Sequence, residues 1–393
     1  MRVVGVIAEY NPFHQGHARH LRAAREAAGA DAVVAVMSGC FVQRGEAALL
    51  SPSARARMAL SCGADAVVAL PALWSLRDAE HFALGGVALL DGLGVDAIAF
   101  GAEMAELPLL SHAAALLEAP DERLHAELRR GLNAGLPHPA AVSRAAEVVQ
   151  PGLGALLSSP NNVLAVSYLR AMRRLGSSMT AHPIPRQGDY HATMLDGGMP
   201  SATAVRRAVL RGDWRGACRA LPPEAAAILQ QEALSGHIHR PDGLDQALLY
   251  RLRAMDTAAW HGLPGLSEGL EDRLRAAARC SATREALLEA AKARRYPRAR
   301  LARLCAQALL GITQADLDAQ PLPDAALLLG FRRDAEGLLA RLSGGRLPLL
   351  TRAASYPDCR WMAIEALAYD LWALPCRMPS GMLFTQGLAR DGS

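Results

Sequence analysis

VVGVIAEYNPFHQGHARHLRAAREAAGA, residues 3–30, is the stretch whose reading decides the fold. Residues 3–8 are apolar and β-branched, which suits a buried strand. Residues 17–28 carry a helical pattern. Between them His14-Gln15-Gly16-His17 places two imidazoles at the mouth of a helix. Helix amides and the helix dipole attract an anion there, and glycine lets a ligand approach the backbone. Two imidazoles in that place can donate hydrogen bonds to a phosphate whose charge grows in a transition state. A solvated histidine pair is the plain alternative.

Outward from this stretch the pattern repeats. Strands are predicted over 32–37, 65–70 and 96–100, alternating with helices over 52–62 and 78–92. Short β-branched runs between amphipathic helices imply βαβ units and a parallel, Rossmann-like α/β sheet. Right-handed crossovers put the strand C-termini on one edge. That edge gathers His14, His17, the loop 38–46, Pro71 and Gly101. Residues 104–150 read as helices, and a further strand is predicted over 178–184, ending at Arg186-Gln187. From about residue 212 the pattern is helical, including 321–345 and 359–373. The division expected is therefore a nucleotide-binding part, 1–215, and a mainly helical part, 216–393.

Composition narrows the classes. The chain has 393 residues, 51% hydrophobic and 20% charged, as an ordinary globular protein does. No run approaches the roughly 18 apolar residues of a membrane span, and Met1-Arg2 leads directly into a strand without a signal-peptide pattern. The seven cysteines are scattered, with no CxxC, which argues for a reducing cytoplasm and against a structural zinc site. Net charge is +4, which permits a nucleic-acid partner. Lys292 is the only lysine, so in this arginine-rich chain a single arginine carries little information.

Other constellations have two readings each. In 38–46, Arg44 suits a phosphate or an RNA backbone, or is a surface arginine. Gly101 lets an adenine or ribose lie against the backbone, or is a turn glycine. Asn161 and Asn162 are ligands or helix caps. Ser201, Thr203 and Arg206 open a helix that is a second anion site or a plain capped helix. Arg294, Arg295 and Arg298 cluster around Tyr296, which suits RNA phosphates and a stacked base, or a solvated helix face. His20 reads as a surface or supporting residue. No set of residues has metal-ligand spacing.

These motifs carry a resemblance. HxGH after a first strand, with a late S-x-T-x-x-R at a helix start, is similar to the HIGH-motif nucleotidyltransferase superfamily. GVIAEYNPFHQGH, SGCFVQRGE, GADAVVALP, FGAE, SPNNVLAVSYL and PSATAVRR more closely resemble the bacterial tRNA(Met) cytidine acetate ligase family. The match runs through about residue 210 and continues more faintly in YPRARLARLCAQALLGI and LLLGFRR. The resemblance implies that acetate attacks the ATP α-phosphate to give acetyl-AMP and pyrophosphate, and that the acetyl group passes to the wobble cytidine of elongator tRNA(Met). A nucleotidyltransferase acting on another small substrate, or a catalytically weakened RNA-binding relative, are the alternatives.

By the same resemblance His14 and His17 are catalytic. ATP contacts fall on Ile7, Ala8, Glu9, Tyr10, Asn11, Pro12, Phe13, His14, Gln15, Gly16, His17, Ala18, Arg19 and His20. They continue at Gly101, Asn161, Asn162, Arg186 and Gln187, joined by Ser201, Thr203 and Arg206. Arg44, Arg294, Arg295 and Arg298 are expected to meet tRNA. Mg2+ is expected with ATP, and no protein partner is implied. Two positions depart from the family pattern. Ser51-Pro52 stands where an acid–lysine pair is usual, and Ala69 stands where a glutamate precedes Leu-Pro. Arg55 and Arg57 are the nearby residues that would replace the lysine.

Overall fold

The computed structural model describes residues 1–186, 201–266 and 269–391. Its first half follows the predicted alternation. Strand β1 (Val3–Ala8) leads into α1 (Gln15–Ala28), then β2 (Ala32–Ser38). A short hairpin, β3 (Phe41–Val42) and β4 (Glu46–Ala47), occupies the expected loop. Next come α2 (Pro52–Ser61), β5 (Ala66–Leu70), α3 (Ala72–Ser75), α4 (Ala79–Gly92) and β6 (Ala97–Ala102). Helices α5 (Leu107–Glu118), α6 (Glu122–Asn133), α7 (His138–Val149), α8 (Leu153–Ser158) and α9 (Pro160–Leu175) lead to β7 (Thr180–Pro185).

The sheet order is β7-β6-β1-β2-β5, all parallel, with β1 in the middle. Strands β1, β2 and β5 are almost wholly apolar because helices cover both faces of the sheet. Gly5 permits the tightest of these contacts, since a Cβ there would lie 2.4 Å from the Leu90 side chain of α4. This arrangement lines up the C-terminal ends of β1, β2, β6 and β7 on one edge.

The second half continues with α10 (Ala202–Leu210), α11 (Trp214–Arg219) and α12 (Pro223–Leu234). Helices α13 (Asp245–Ala254), α14 (Thr257–His261), α15 (Leu270–Cys280), α16 (Arg284–Ala291), α17 (Arg298–Leu310) and α18 (Gln314–Ala319) follow. The helical reading of 321–345 does not hold. Residues Ala326–Phe331 form β8, which adds to β5 antiparallel, and after α19 (Glu336–Ser343) the strand β9 (Leu349–Leu350) extends the sheet to seven strands. Helix α20 (Arg360–Ala373), helical as its sequence predicts, packs against α3 and α17.

A division at 215/216 would therefore cut through one body. The main core includes Val205, Leu229, Leu328, Trp361 and Trp372 together with β1 and β2. A separate small core joins α13, α15, α16 and α17 through Leu248, Trp260, Leu274, Leu288 and Leu301. Among the described residues, only those of the 245–310 segment make a helical body with its own interior.

The hairpin is held by that body. Gly45 has φ +76°, and a Cβ there would lie 2.3 Å from the backbone of Ala302 in α17. Arg284 of α16 donates to the Gly45 carbonyl at 2.7 Å. Trp372 Nε1 donates to the Ala48 carbonyl at 2.7 Å, and the His239 amide donates to the Leu49 carbonyl at 2.9 Å.

Glu365 of α20 is wholly buried beneath the same segment. Its Oε2 accepts from the Ala72 amide at 2.6 Å. Burial pushes its carboxyl up to about 7 from the ordinary 4.5, and the Ala72 bond and the Arg55 charge only partly oppose this. Between those values the folded protein holds a proton that the unfolded chain has released, so stability falls as pH rises through that window. Removing the titration flattens the profile. Glu365→Gln is expected to lose about 2 kcal/mol of the stability difference between pH ~5 and ~8. Urea midpoints of both proteins at the two pH values check this, and parallel pH profiles would refute it.

Candidate active site

The cavity opens on the C-terminal edge of the sheet and has a volume of about 460 Å³, ample for a nucleotide. Its floor comes from β1, α1 and the loop between them. That loop turns sharply. Tyr10 takes a left-handed φ of +46°, and the Asn11–Pro12 peptide is cis. The Tyr10 ring packs edge-on against Phe13 and His17, each with centroids 4.9 Å away.

The two motif histidines cap the helix that they begin. His14 Nδ1 accepts from the Gly16 amide at 3.0 Å, and His17 Nδ1 accepts from the His14 amide at 3.2 Å. This is a reciprocal capping box built from imidazoles instead of a hydroxyl and a carboxylate. The rings stack with centroids 3.8 Å apart. With each Nδ1 accepting, the neutral ring carries its proton on Nε2. Burial, then the nearby arginines Arg186 and Arg206, lowers His14 to about 3. Burial, then His14 and His20, pulls His17 well below the ordinary range. Both side chains line the cavity as neutral donors.

Cations ring these donors. Arg19, Arg44, Arg186 and Arg206 line the cavity. Arg206 donates to the Asn11 carbonyl at 2.6 Å and to Thr203 Oγ1 at 3.3 Å, which ties α10 to the β1 exit. Ser201 caps α10 by accepting from the Ala204 amide at 3.1 Å, so the plain capped-helix reading is also true of it. Ser201 and Thr203 line the cavity as well. Glu9 sits directly after β1 and accepts from the Gln43 amide at 2.8 Å. Burial raises its carboxyl, opposed by Arg44, the Gln43 bond and Arg206.

The structure sorts the expected residues. Ile7, Ala8, Glu9, Tyr10, Asn11, His14, Gly16, His17, Arg19 and His20 line the cavity. Pro12, Phe13, Gln15 and Ala18 are off its wall. Phe13 is a core residue, and Gln15 donates from its backbone to Ala220 and from its side chain to Arg219. His20 is a wall residue instead of a surface one, and burial lowers it to about 4. Gly101 belongs to β6, which runs on to Ala102, and a Cβ there would lie 3.2 Å from the Arg186 stem. Its missing side chain thus makes room for that arginine. Gln187 lies outside the described residues.

The asparagine pair divides. Asn161 lines the cavity and accepts from Arg186 at 3.2 Å. Asn162 is wholly buried and accepts from the amides of Glu103 and Met104 at 2.9 and 3.1 Å, away from the wall. Glu103, unassigned from sequence, organises both. It accepts from the Asn162 amide at 3.0 Å and from Asn161 Nδ2 at 2.5 Å, capping α9. A carboxylate just past a strand end was the available signal. The apolar wall of Phe82, Phe100, Leu164, Tyr168 and Ile184 also went unassigned, its members being spread over four elements.

Three further expectations change. Arg55 is wholly buried and donates to the carbonyls of Leu50, Glu9, Ser38 and Gly39, the first three at 3.1, 2.7 and 3.0 Å. Arg57 pairs with Glu232 at 2.5 Å. Both are committed within the fold and do not replace a phosphate-binding lysine. Pro52 and Ala69 are themselves buried off the cavity wall. Tyr296 is buried in the helical body under Arg300, which rules out its stacking on a base. Arg294 and Arg295 are exposed, and Arg298 pairs with Glu285 at 2.5 Å. Among the described residues no group of three or more His, Cys, Asp or Glu could hold a metal, and no helix is long and apolar enough to cross a membrane.

Known proteins share this architecture. A family model described as HIGH Nucleotidyl Transferase matches residues 1–381. A protein of Acetivibrio thermocellus named tRNA(Met) cytidine acetate ligase is 34% identical, covering 99% of each chain. One of the same name from Syntrophotalea carbinolica is 39% identical over 89% of this chain and 85% of its own. The crystal structure of Thermotoga maritima TmcAL bound with alpha-thio ATP superposes with a TM-score of 0.91 at 28% identity, covering 99% of this chain and 100% of that one.

Proposed function

Since the chain belongs to the tRNA(Met) cytidine acetate ligase family of HIGH nucleotidyl transferases, we propose that it joins acetate to ATP as acetyl-AMP and passes the acetyl group to the wobble cytidine of elongator tRNA(Met). The observation that carries this reading is the stacked, neutral His14–His17 pair, with its donors at the wall of an arginine-ringed cavity.

The residues divide the first step as follows. Acetate is already ionised near pH 7, so its attack needs no base. It needs alignment and a place for the charge that grows on the α-phosphate. The Nε2–H groups of His14 and His17 supply donors that are not spent on protonation. Arg186 and Arg206 hold phosphate oxygens, and Arg19 and Arg44 favour the departing pyrophosphate by charge. The wall of Phe82, Phe100 and Tyr168 suits the adenine ring. Mg2+ is inferred to arrive on the triphosphate, where it would neutralise phosphate charge.

The tRNA is inferred to lie across the hairpin side, against Arg44 and the helical body with Arg294, Arg295 and Arg298, in the cytoplasm where its substrate is. Pro52 and Ala69 themselves contribute nothing to the wall.

Acetate-dependent ATP–pyrophosphate exchange, followed by mass analysis of tRNA(Met) nucleosides, tests the assignment. Exchange that needs acetate and 4-acetylcytidine at the wobble position are the expected results. Absence of exchange with acetate would overturn the reading.

A further inference from the structure

Acetyl transfer sets a demand that adenylation does not. The nucleophile is now the cytidine N4-amino group, whose lone pair is conjugated with the ring and which must shed a proton as it is acylated. Among the described residues the wall offers many donors and cations but only two carboxylates, Glu9 and Glu46. The Glu46 side chain is 37% exposed and faces Arg206 at 3.9 Å. Glu9 is held at both ends. Its carbonyl accepts from buried Arg55 at 2.7 Å, and its Oε1 accepts from the Gln43 amide at 2.8 Å. Its second oxygen has no hydrogen-bond partner among the described residues. A carboxylate accepting from N4 is also the pairing by which proteins recognise cytosine.

We propose that Glu9 is a catalytic residue of the second step, accepting a hydrogen bond from the cytidine N4-amino group and taking its proton as the acetyl group moves. N4 forms a bond to the acetyl carbonyl carbon, the bond from that carbon to the adenylate oxygen breaks, AMP leaves with that electron pair, and the N4 proton passes to Glu9. The proposal rests on the acetyl-AMP chemistry above. The groups acting on or acted upon by this carboxylate are Arg44 and Glu46 of the hairpin, Arg206 of α10, Arg55 of α2 and Tyr168 of α9. Burial raises the pKa of Glu9 above that of an ordinary carboxylate, which makes it a stronger base.

The test is single-turnover transfer from synthetic acetyl-AMP to unmodified tRNA(Met), with adenylate binding measured separately. Glu9→Gln is isosteric and keeps an oxygen for the Gln43 amide. Its transfer rate is expected to fall about 100-fold or more, far beyond any change in adenylate affinity. The rise of rate with pH on the acid side, present in the wild type, should vanish in Glu9→Gln and return in part in Glu9→Asp. Wild-type transfer by Glu9→Gln, or a loss matched by weaker adenylate binding, overturns the proposal. A wild-type protein that cannot use acetyl-AMP overturns the ligase reading itself and Glu9's role with it, an outcome plainly distinct from the other two.

Discussion

Arg55→Met is expected to lower the folding free energy by about 3–5 kcal/mol, the loss typical when one partner of a buried charged network is removed. The guanidinium is wholly buried and gathers four backbone carbonyls, from Glu9, Ser38, Gly39 and Leu50. Burial lowers its pKa only to about 10, so it stays charged at neutral pH. Methionine fills most of the volume but leaves those acceptors without donors and Glu365 without an opposing charge. Arg55→Lys keeps the charge but cannot fork toward four acceptors, so a smaller loss is expected. The double variant Arg55→Met/Glu365→Gln should be less destabilised than the sum of its parts, because it removes both charges. Urea denaturation read by circular dichroism measures all three. An Arg55→Met midpoint within about 0.5 kcal/mol of wild type, the scale of an ordinary surface substitution, would show that the network is dispensable.

His17→Asn separates two jobs that the imidazole performs together. Its Oδ1 can take the place of Nδ1 and accept from the His14 amide, so the capping box survives. Nothing then stands where Nε2–H stood. Acetate-dependent pyrophosphate exchange is expected to fall about 10²–10³-fold, the cost of losing one preorganised donor to a developing charge. His17→Ala loses the cap as well and should cost about 1 kcal/mol of additional stability. Exchange rates and thermal melts of the two variants together decide the matter. Exchange undiminished in His17→Asn sinks the assigned role of the Nε2 donor, and equal stability of the Asn and Ala variants sinks that of the cap.

Much of this was legible in the sequence because the signals are local. Continuous β-branched runs such as AVVAVM and AVVAL mark strands covered on both faces, and the motif glycine and histidines announce the helix start between β1 and α1. The misreadings share one cause, a dependence on distant partners. The run ALLLGF at 326–331 is too short for its period to distinguish strand from helix, and the open edge of β5 decides for strand. The two-residue strands of the hairpin have no period at all. Arg55 looks like any helix arginine until four carbonyls from separate segments converge on it. Tyr296 sits among arginines in sequence but turns into the helical body beside Leu301. Asn161 and Asn162 are adjacent on a helix, and their separate partners, Arg186 for one and the amides of Glu103 and Met104 for the other, lie far away in sequence.

The clamp on the hairpin has a consequence for biosynthesis. A nascent chain that has emerged as far as residue 210 already carries both motif histidines, Arg186 and Arg206. It still lacks Arg284 and the α17 backbone that support Gly45, the tryptophan that binds Ala48, and the strand that covers β5. Until β8 is made, Ala66–Leu70 is an uncovered, wholly apolar edge of the kind that pairs with other chains. The lip of the cavity, the hairpin within residues 41–47, is thus completed by segments made more than two hundred residues after it. An unfinished chain holds both motif histidines without the contacts that support the hairpin beside them.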